Sequence, residues 1–245
     1  MTLSQIAARK PLVHCVTNTV VTNFTANGLL AIGASPIMAD AIEEVIHITQ
    51  QADALLLNIG TINARVAESM HAAALTAAQH DIPIVLDPVG AGASAYRLQT
   101  VRTLLKHGVT LIRGNAGELA AIADVAWDAK GVDGGSGVAD VAAIAQTVAR
   151  KYECHVIITG EEDIVTDGET VLRVAGGNAN VTRITGSGCL LGAICAAQLA
   201  TNHTLDELAA LLAQYKEAAV RATGSIGTYA VTFLDALGEL AEVDV

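Results

Sequence analysis

Asp87 closes the apolar run IVLD in VLDPVGAG, placing a carboxylate where a strand would hand over to a Pro/Gly-rich loop. Such a group suits Mg²⁺, which takes a few hard oxygen ligands and keeps much of its water. It equally suits a plain turn before Pro88. In RGNAGE (113–118) the Arg113 guanidinium has the fork that matches phosphate oxygens. Asn115 and Glu118 stand at helix-start spacing facing the same loop, and that spacing is also an ordinary capping arrangement. Thr159-Gly160 ends HVIITG with a hydroxyl and room for close backbone approach, or with a simple turn. In ITGSGCLLGAICAAQLA (184–200), Gly186 and Gly188 lead into an unbroken apolar helix. Glycines let the backbone approach a ligand, and the helix N-terminus directs unpaired N–H groups and a positive dipole end at an anion. The bland reading is a tight turn before a packing helix. Cys189 lies in this stretch, and a thiol of ordinary pKa about 8.5 is a poor base at pH 7.

Taken together these groups suit phosphoryl transfer from a Mg-nucleotide, which depends on positioning and charge neutralisation rather than covalent help. The glycine turn at 184–189 lacks GxxxxGK[ST], which excludes a P-loop enzyme. The first strand carries no GxGxxG, which weakens a dinucleotide-binding reading.

The elements needed to position these residues follow from the apolar pattern. Strands are expected at 12–17, in SPIMAD, at 52–60, in IPIVLD, after 109 and at 155–160, separated by helices at 19–33, 42–51, 62–80, 95–107, up to 123 and 138–151. EDIVTDGETVLRVAGG reads as two short strands around an Asp-Gly turn, an antiparallel addition to the sheet. Helices then follow the glycine turn, span 204–223 with a capping box of Thr204 and Glu207, and run from about 225 to 240. Residues 128–140, DAKGVDGGSGVAD, read as an exposed connection. Alternating strands and helices with continuous apolar strands specify an α/β fold, a mainly parallel central sheet with helices on both faces. Ligands of such folds bind beyond the carboxyl ends of the strands. Asn18, Met38, Asn58, Asp87, Arg113, Asn115, Glu118, Thr159 and the 185–189 turn all fall there.

The 245 residues suit one domain over 1–245, and 52% hydrophobic residues can bury a large core. A net charge of −11 leaves no basic stripe for nucleic acid. No apolar run reaches the roughly 20 residues of a membrane span, and no cleavable leader is visible, so a cytoplasmic protein is expected. Cys15, Cys154, Cys189 and Cys195 are scattered without zinc spacing and read as reduced thiols.

The stretches PLVHCVTNTVVTNFTANGLLAIGASPIMADA, LLLNIGT, VLDPVGAGAS, IRGNAGE, IITGEEDIVTDG and ITGSGCLLGA resemble, in order and spacing, the hydroxyethylthiazole kinase family of thiamin biosynthesis and salvage. The resemblance implies a ribokinase-like fold, ATP with Mg²⁺, and phosphorylation of the primary alcohol of 4-methyl-5-(2-hydroxyethyl)thiazole. It further implies a homotrimer with active sites between neighbouring subunits. By position, Met38 and Gly186 match the family's substrate contacts, Arg113 and Thr159 its ATP-binding residues, and Asp87 and Glu118 its magnesium-associated acids. Asn18, in the family-like VTN stretch, is expected to line the thiazole pocket. Cys189 stands where the wider ribokinase-like group has the Asp of GxGD, so it is expected to assist the attacking hydroxyl without being indispensable, beside an anion hole of the N–H groups of 186–189. The same Cys argues against a hydroxymethylpyrimidine kinase or an ATP-dependent nicotinamide nucleotide hydrate dehydratase. A nucleotide- or thiazole-binding module without turnover is the reading from another class.

Overall fold

The computed structural model describes residues 2–126 and 140–242 of the chain. Its apolar runs form β1 (Leu12–Val16), β2 (Ser35–Ile37), β3 (Ala54–Asn58), β4 (Ile84–Asp87), β5 (Leu111–Asn115), β6 (His155–Thr159), β7 (Asp163–Thr166) and β8 (Val171–Val174). All join one sheet in the order β2-β1-β3-β4-β5-β6-β7-β8. The strands from β1 to β6 pair in parallel. β7 and β8 extend the sheet antiparallel, as the Asp-Gly turn predicts. Gly168 supplies the turn's left-handed backbone at φ 100°.

The helices are α1 (Thr2–Arg9), α2 (Thr22–Ala31), α3 (Val45–Gln51), α4 (Ala64–Gln79), α5 (Ala95–Leu104), α6 (Ala116–Ile122), α7 (Val141–Tyr152), α8 (Ser187–Leu199), α9 (Leu205–Arg221) and α10 (Ile226–Ala241). They divide between the faces of the sheet, α1, α2, α8, α9 and α10 over one core and α3 to α7 over the other. Strand alternation makes this division legible. Leu56, Val85, Leu111 and Ile157 enter the α8 core, whereas Leu55, Leu86, Ile112 and Val156 enter the opposite one. Two residues further along each strand, on the α8 face, come Asn58, Asp87, Arg113 and Thr159.

α8 is the centre of its layer, and every residue from Leu190 to Leu199 is buried. A glycine lets it approach α2: a Cβ at Gly28 would lie 2.3 Å from Leu190 Cδ1. No helix among the described residues is long and apolar enough to cross a membrane.

α3 begins at Val45 rather than 42, and three further elements differ from expectation. α1 has no counterpart among the expected elements; it is short, buries Leu3 and Ile6, and ends at Arg9, after which Lys10 takes φ 53° before Pro11. α2 begins at Thr22 rather than 19, because residues 18–21 form a turn in which Val21 N–H donates to Asn18 O. The Thr204 capping box is half made: Thr204 accepts from Glu207 N–H, but the Glu207 carboxylate accepts from Gln198 Nε2 instead. The connection read at 128–140 lies, apart from the α7 cap Asp140, outside the described residues.

Candidate active site

The sheet register sets a row of polar side chains across the carboxyl ends of five adjacent strands. Asn58 and Asp87 are register partners on β3 and β4, and Asn115 and Thr159 are partners on β5 and β6. Asn18, just past β1, donates from Nδ2 to Asn58 Oδ1 at 2.9 Å. Asn58 Nδ2 donates to Asp87 Oδ2 at 2.7 Å. Asp87 Oδ1 lies 3.8 Å from Arg113 Nη1, and Arg113 Nη2 donates to Thr159 Oγ1 at 2.7 Å. Thr159 in turn donates to Gly114 O. The row is thus continuous from β1 to β6, and Met38 stands one strand beyond it, after β2 and partly buried against the α8 core.

The N-terminal turn of α8 lies over this row. Gly186 is the helix N-cap, with φ 92°, and its backbone packs where a Cβ would meet Val21 at 2.6 Å. A Cβ on Gly188 would lie 2.7 Å from Arg113 Nη1, so the guanidinium sits against the bare backbone of the helix start. The glycine reading is thereby sharpened: Gly188 and Cys189 belong to the first turn of α8 rather than to a loop before it. Their N–H groups are among those that helix geometry leaves without an intrahelical acceptor. Ser187 N–H is turned away to Ile184 O at 3.3 Å. Tyr215 of α9 steadies the turn from behind, its hydroxyl donating to Ser187 O at 2.5 Å.

Electrostatics follow from burial. Asp87 is 0% exposed, and desolvation pushes its carboxyl up to about 7, with Arg113 and Asn58 pulling the other way and Glu118 adding to the rise. Its Oδ1 accepts no hydrogen bond. Burial works against the charge on Arg113, but the carboxylates of Asp87 and Glu118 outweigh it and keep the guanidinium firmly protonated. Cys189 receives Asn18 Nδ2 on its Sγ at 3.5 Å. Burial, with the Asp87 carboxylate, raises this thiol above its ordinary range against the weaker pull of Asn58, Asn18 and Arg113.

Glu118 does two jobs. Its Oε2 accepts from Asn115 N–H at 2.8 Å, completing a capping box with Asn115, so the plain capping arrangement is present. Its Oε1 accepts from Gly90 N–H at 2.8 Å, which ties the loop after Asp87 to the start of α6. The same carboxylate is thereby held near Asp87.

Beside the row opens a cleft of about 1010 Å³. It is lined by Arg113, Asn115 and Thr159, by the turns at 160–163 and 175–179, and by Ser187, Gly188, Tyr215 and Lys216. Of the residues singled out in the sequence, Asn18, Asp87, Arg113, Glu118, Thr159, Gly186, Gly188 and Cys189 are brought together. Asn58 proves to be the link between Asn18 and Asp87, a role its strand-end position alone could not reveal. Tyr215, Lys216 and Asp163 carry no motif and enter through α9 and β7.

The first turn of α8, with Gly186 as its N-cap, thus lies over a carboxylate–guanidinium pair, beside the cleft. The family model described as the Hydroxyethylthiazole kinase family matches residues 3–243. The chain belongs to that family. The hydroxyethylthiazole kinase of Lysinibacillus sphaericus (strain C3-41) is 47% identical over 99% of this chain and 97% of its own length. The solved structure of a hydroxyethylthiazole kinase protein from Pyrococcus horikoshii OT3 superposes with a TM-score of 0.89 at 35% identity, covering 100% of this chain and 92% of that one. A ribokinase-like superfamily protein from Enterococcus faecalis V583 is similar at a TM-score of 0.67 and 12% identity over 97% of this chain and 90% of its own, a likeness of fold alone. This hydroxyethylthiazole kinase family member therefore has the ribokinase-like fold, and its enzyme class is that of a kinase.

Proposed function

We propose that the chain transfers the γ-phosphoryl group of ATP to the primary alcohol of 4-methyl-5-(2-hydroxyethyl)thiazole. The observation that carries this reading is Arg113, which lines the 1010 Å³ cleft, lies against the bare backbone of Gly188 and pairs with the buried Asp87 behind it. ATP lies in the cleft with its phosphates toward Arg113 and Thr159. The thiazole lies on the β1 and β2 side, against Met38, Gly186 and Asn18; the soft thioether of Met38 suits an aromatic heterocycle.

The acidic residues fit a magnesium ion. Asp87 Oδ1 is a buried acceptor without a hydrogen bond, and each Glu118 oxygen uses one lone pair on a backbone amide and keeps another. Among the described residues no group of three or more His, Cys, Asp or Glu gathers as a metal cage. Few protein ligands are what Mg²⁺ prefers, since it keeps several waters and binds phosphate oxygens. When bound, the ion neutralises charge on the β- and γ-phosphates.

The chain's own residues do the rest. Arg113 presents its charge to the transferring group, and its hydrogen bond to Thr159 fixes the plane of the guanidinium. The N–H groups of Gly188 and Cys189, with that of Gly186, form the anion hole, each well-placed donor contributing roughly 3–4 kcal/mol by analogy with oxyanion holes. Asn18, fixed by Asn58, holds the thiol of Cys189 toward the attacking hydroxyl. With its pKa raised, that thiol remains protonated at neutral pH and orients the alcohol rather than deprotonating it. A loose transition state needs little early proton removal.

Active sites completed between subunits of a homotrimer are part of the same reading. Val20, just before α2, and Leu30, near its end, are exposed at 67% and 56%, apolar side chains that a neighbour would cover. Light scattering is expected to give three chain masses; a monomeric enzyme with full activity would remove the trimer from the reading. The reaction itself is tested by coupled ADP release. Rapid release with the thiazole alcohol and little with a pyrimidine alcohol is the expected result, and the reverse preference would overturn the assignment. ATP binding without release in either case would leave a binding module.

A further inference from the structure

Lys216, on α9, is partly buried, with 11% of its side chain exposed, and its ammonium faces four oxygens. Asp163 Oδ1 lies at 3.2 Å, Glu161 O at 3.2 Å, and Gly160 O and Gly176 O each at 3.4 Å. A lysine ammonium is ordinarily a hydrated point charge on a flexible stem, and burial is tolerated when its charge and donors are met. Here they are met by two separate pieces of backbone. Gly160 and Glu161 begin the turn between β6 and β7, directly after Thr159, whereas Gly176 follows β8. Asp163 also accepts Gly160 N–H at 3.0 Å, so the same carboxylate holds the turn and the ammonium. The stem of Lys216 runs beneath Gly177, where a Cβ would lie 3.3 Å from its Cγ. All of these residues line the cleft.

We propose that Lys216 is a positioning residue for the nucleotide, an internal cation that joins the 160–163 turn and the Gly176 segment into one rigid wall of the cleft. This rests on the reading that the cleft receives ATP. The ammonium contributes no proton and no direct step; it keeps Thr159 and the opposite wall at a fixed separation, so that binding does not have to order them. Removing the side chain at its Cβ leaves four oxygens around a space of ammonium size, which a free cation can enter.

Lys216→Ala is therefore expected to raise the KM for ATP at least tenfold with the KM for the alcohol within twofold of wild type. Ammonium chloride at about 100 mM, with choline chloride as the ionic-strength control, is expected to recover most of that loss. A KM for ATP within threefold of wild type, or a loss that ammonium leaves untouched, would overturn the proposal. Hydrogen exchange reads the clamp without ATP: amides at 160–163 and 176–178 are expected to exchange at least tenfold faster in the variant and to slow again with ammonium. Unchanged exchange sinks the clamp even if the protein is an active kinase. Accelerated, ammonium-reversible exchange in a protein that binds no ATP keeps the clamp and removes the nucleotide reading. If Lys216→Ala does not fold, Asp163→Asn decides. It retains an acceptor for Gly160 N–H and removes only the charge, so a rise of three- to tenfold in the KM for ATP is expected and no rise contradicts the proposal.

Discussion

At the scale of single residues the site is set by contact between backbone and charge. Gly188 has no side chain because Arg113 occupies that space, 2.7 Å from where a Cβ would be. Gly188→Ala is expected to push the guanidinium away from its ion pair with Asp87 and its hydrogen bond to Thr159, and to lower kcat by about 10²- to 10³-fold, the scale of a lost oxyanion-hole donor. Steady-state kinetics check this, and an unchanged kcat would mean Arg113 does not need that seat. Cys189 is a different case. A raised pKa means less thiolate at any given pH, so its alkylation by iodoacetamide should be slower at pH 7.5 than that of a free thiol. The rate should climb at pH values above the ordinary thiol range, followed by peptide mass spectrometry. Cys189→Ser, which keeps a donor beside Asn18, is expected to lose less than the roughly 10⁴-fold that marks an essential general base.

At the scale of elements, α8 is what carries the glycine turn to the polar row, and its packing is correspondingly close. Gly28→Val of α2 would drive carbon into Leu190, already fully buried, where even a Cβ meets Cδ1 at 2.3 Å. Overpacking of this kind costs about 1–3 kcal/mol, which should appear as a lower urea midpoint with unchanged slope. An unshifted midpoint would show that Leu190 has room to move. Much of this layer is visible in the sequence. The runs ALLLN and IVLD have few alternatives to buried parallel strands, and Asp87 at the end of one of them is found by its position alone. Helix starts are less legible, since the first turn of α2 and the reciprocal half of the Thr204 cap depend on what Asn18 and Gln198 bond to in space. α1 escapes notice because eight residues with two buried apolar side chains, Leu3 and Ile6, make too short a periodic signal. The part of the site hidden from the sequence is the part made by long-range partners. Asn58 is informative only once Asn18 and Asp87 are beside it, and Lys216 lies in an ordinary amphipathic helix whose sequence says nothing of Asp163.

At the scale of the whole molecule, the buried Asp87 couples the site to stability. Its carboxyl is raised from 3.8 to about 7 on folding, so between these values the folded chain holds a proton that the unfolded chain has lost. Stability from this group is therefore present in acid and is lost as pH rises through about 7. Metal-free protein compared with Asp87→Asn should show this directly. Over pH 5 to 8 the stability of wild type relative to the variant should fall by about 2–3 kcal/mol, measured by urea unfolding. A difference that stays flat would mean that Arg113 keeps the carboxylate ionised throughout.

The position of α8 along the chain also bears on how the protein is made. Leu56, Val85, Leu111 and Ile157 all leave the ribosome before residues 187–199, the helix that covers their face of the sheet. Until α8 emerges, that half of the sheet is an open apolar surface on the nascent polypeptide, at risk of association with other chains. Polypeptides halted before Ser187 should bind holdase chaperones or precipitate, whereas release of the chain with α8, α9 and α10 should let the layer close.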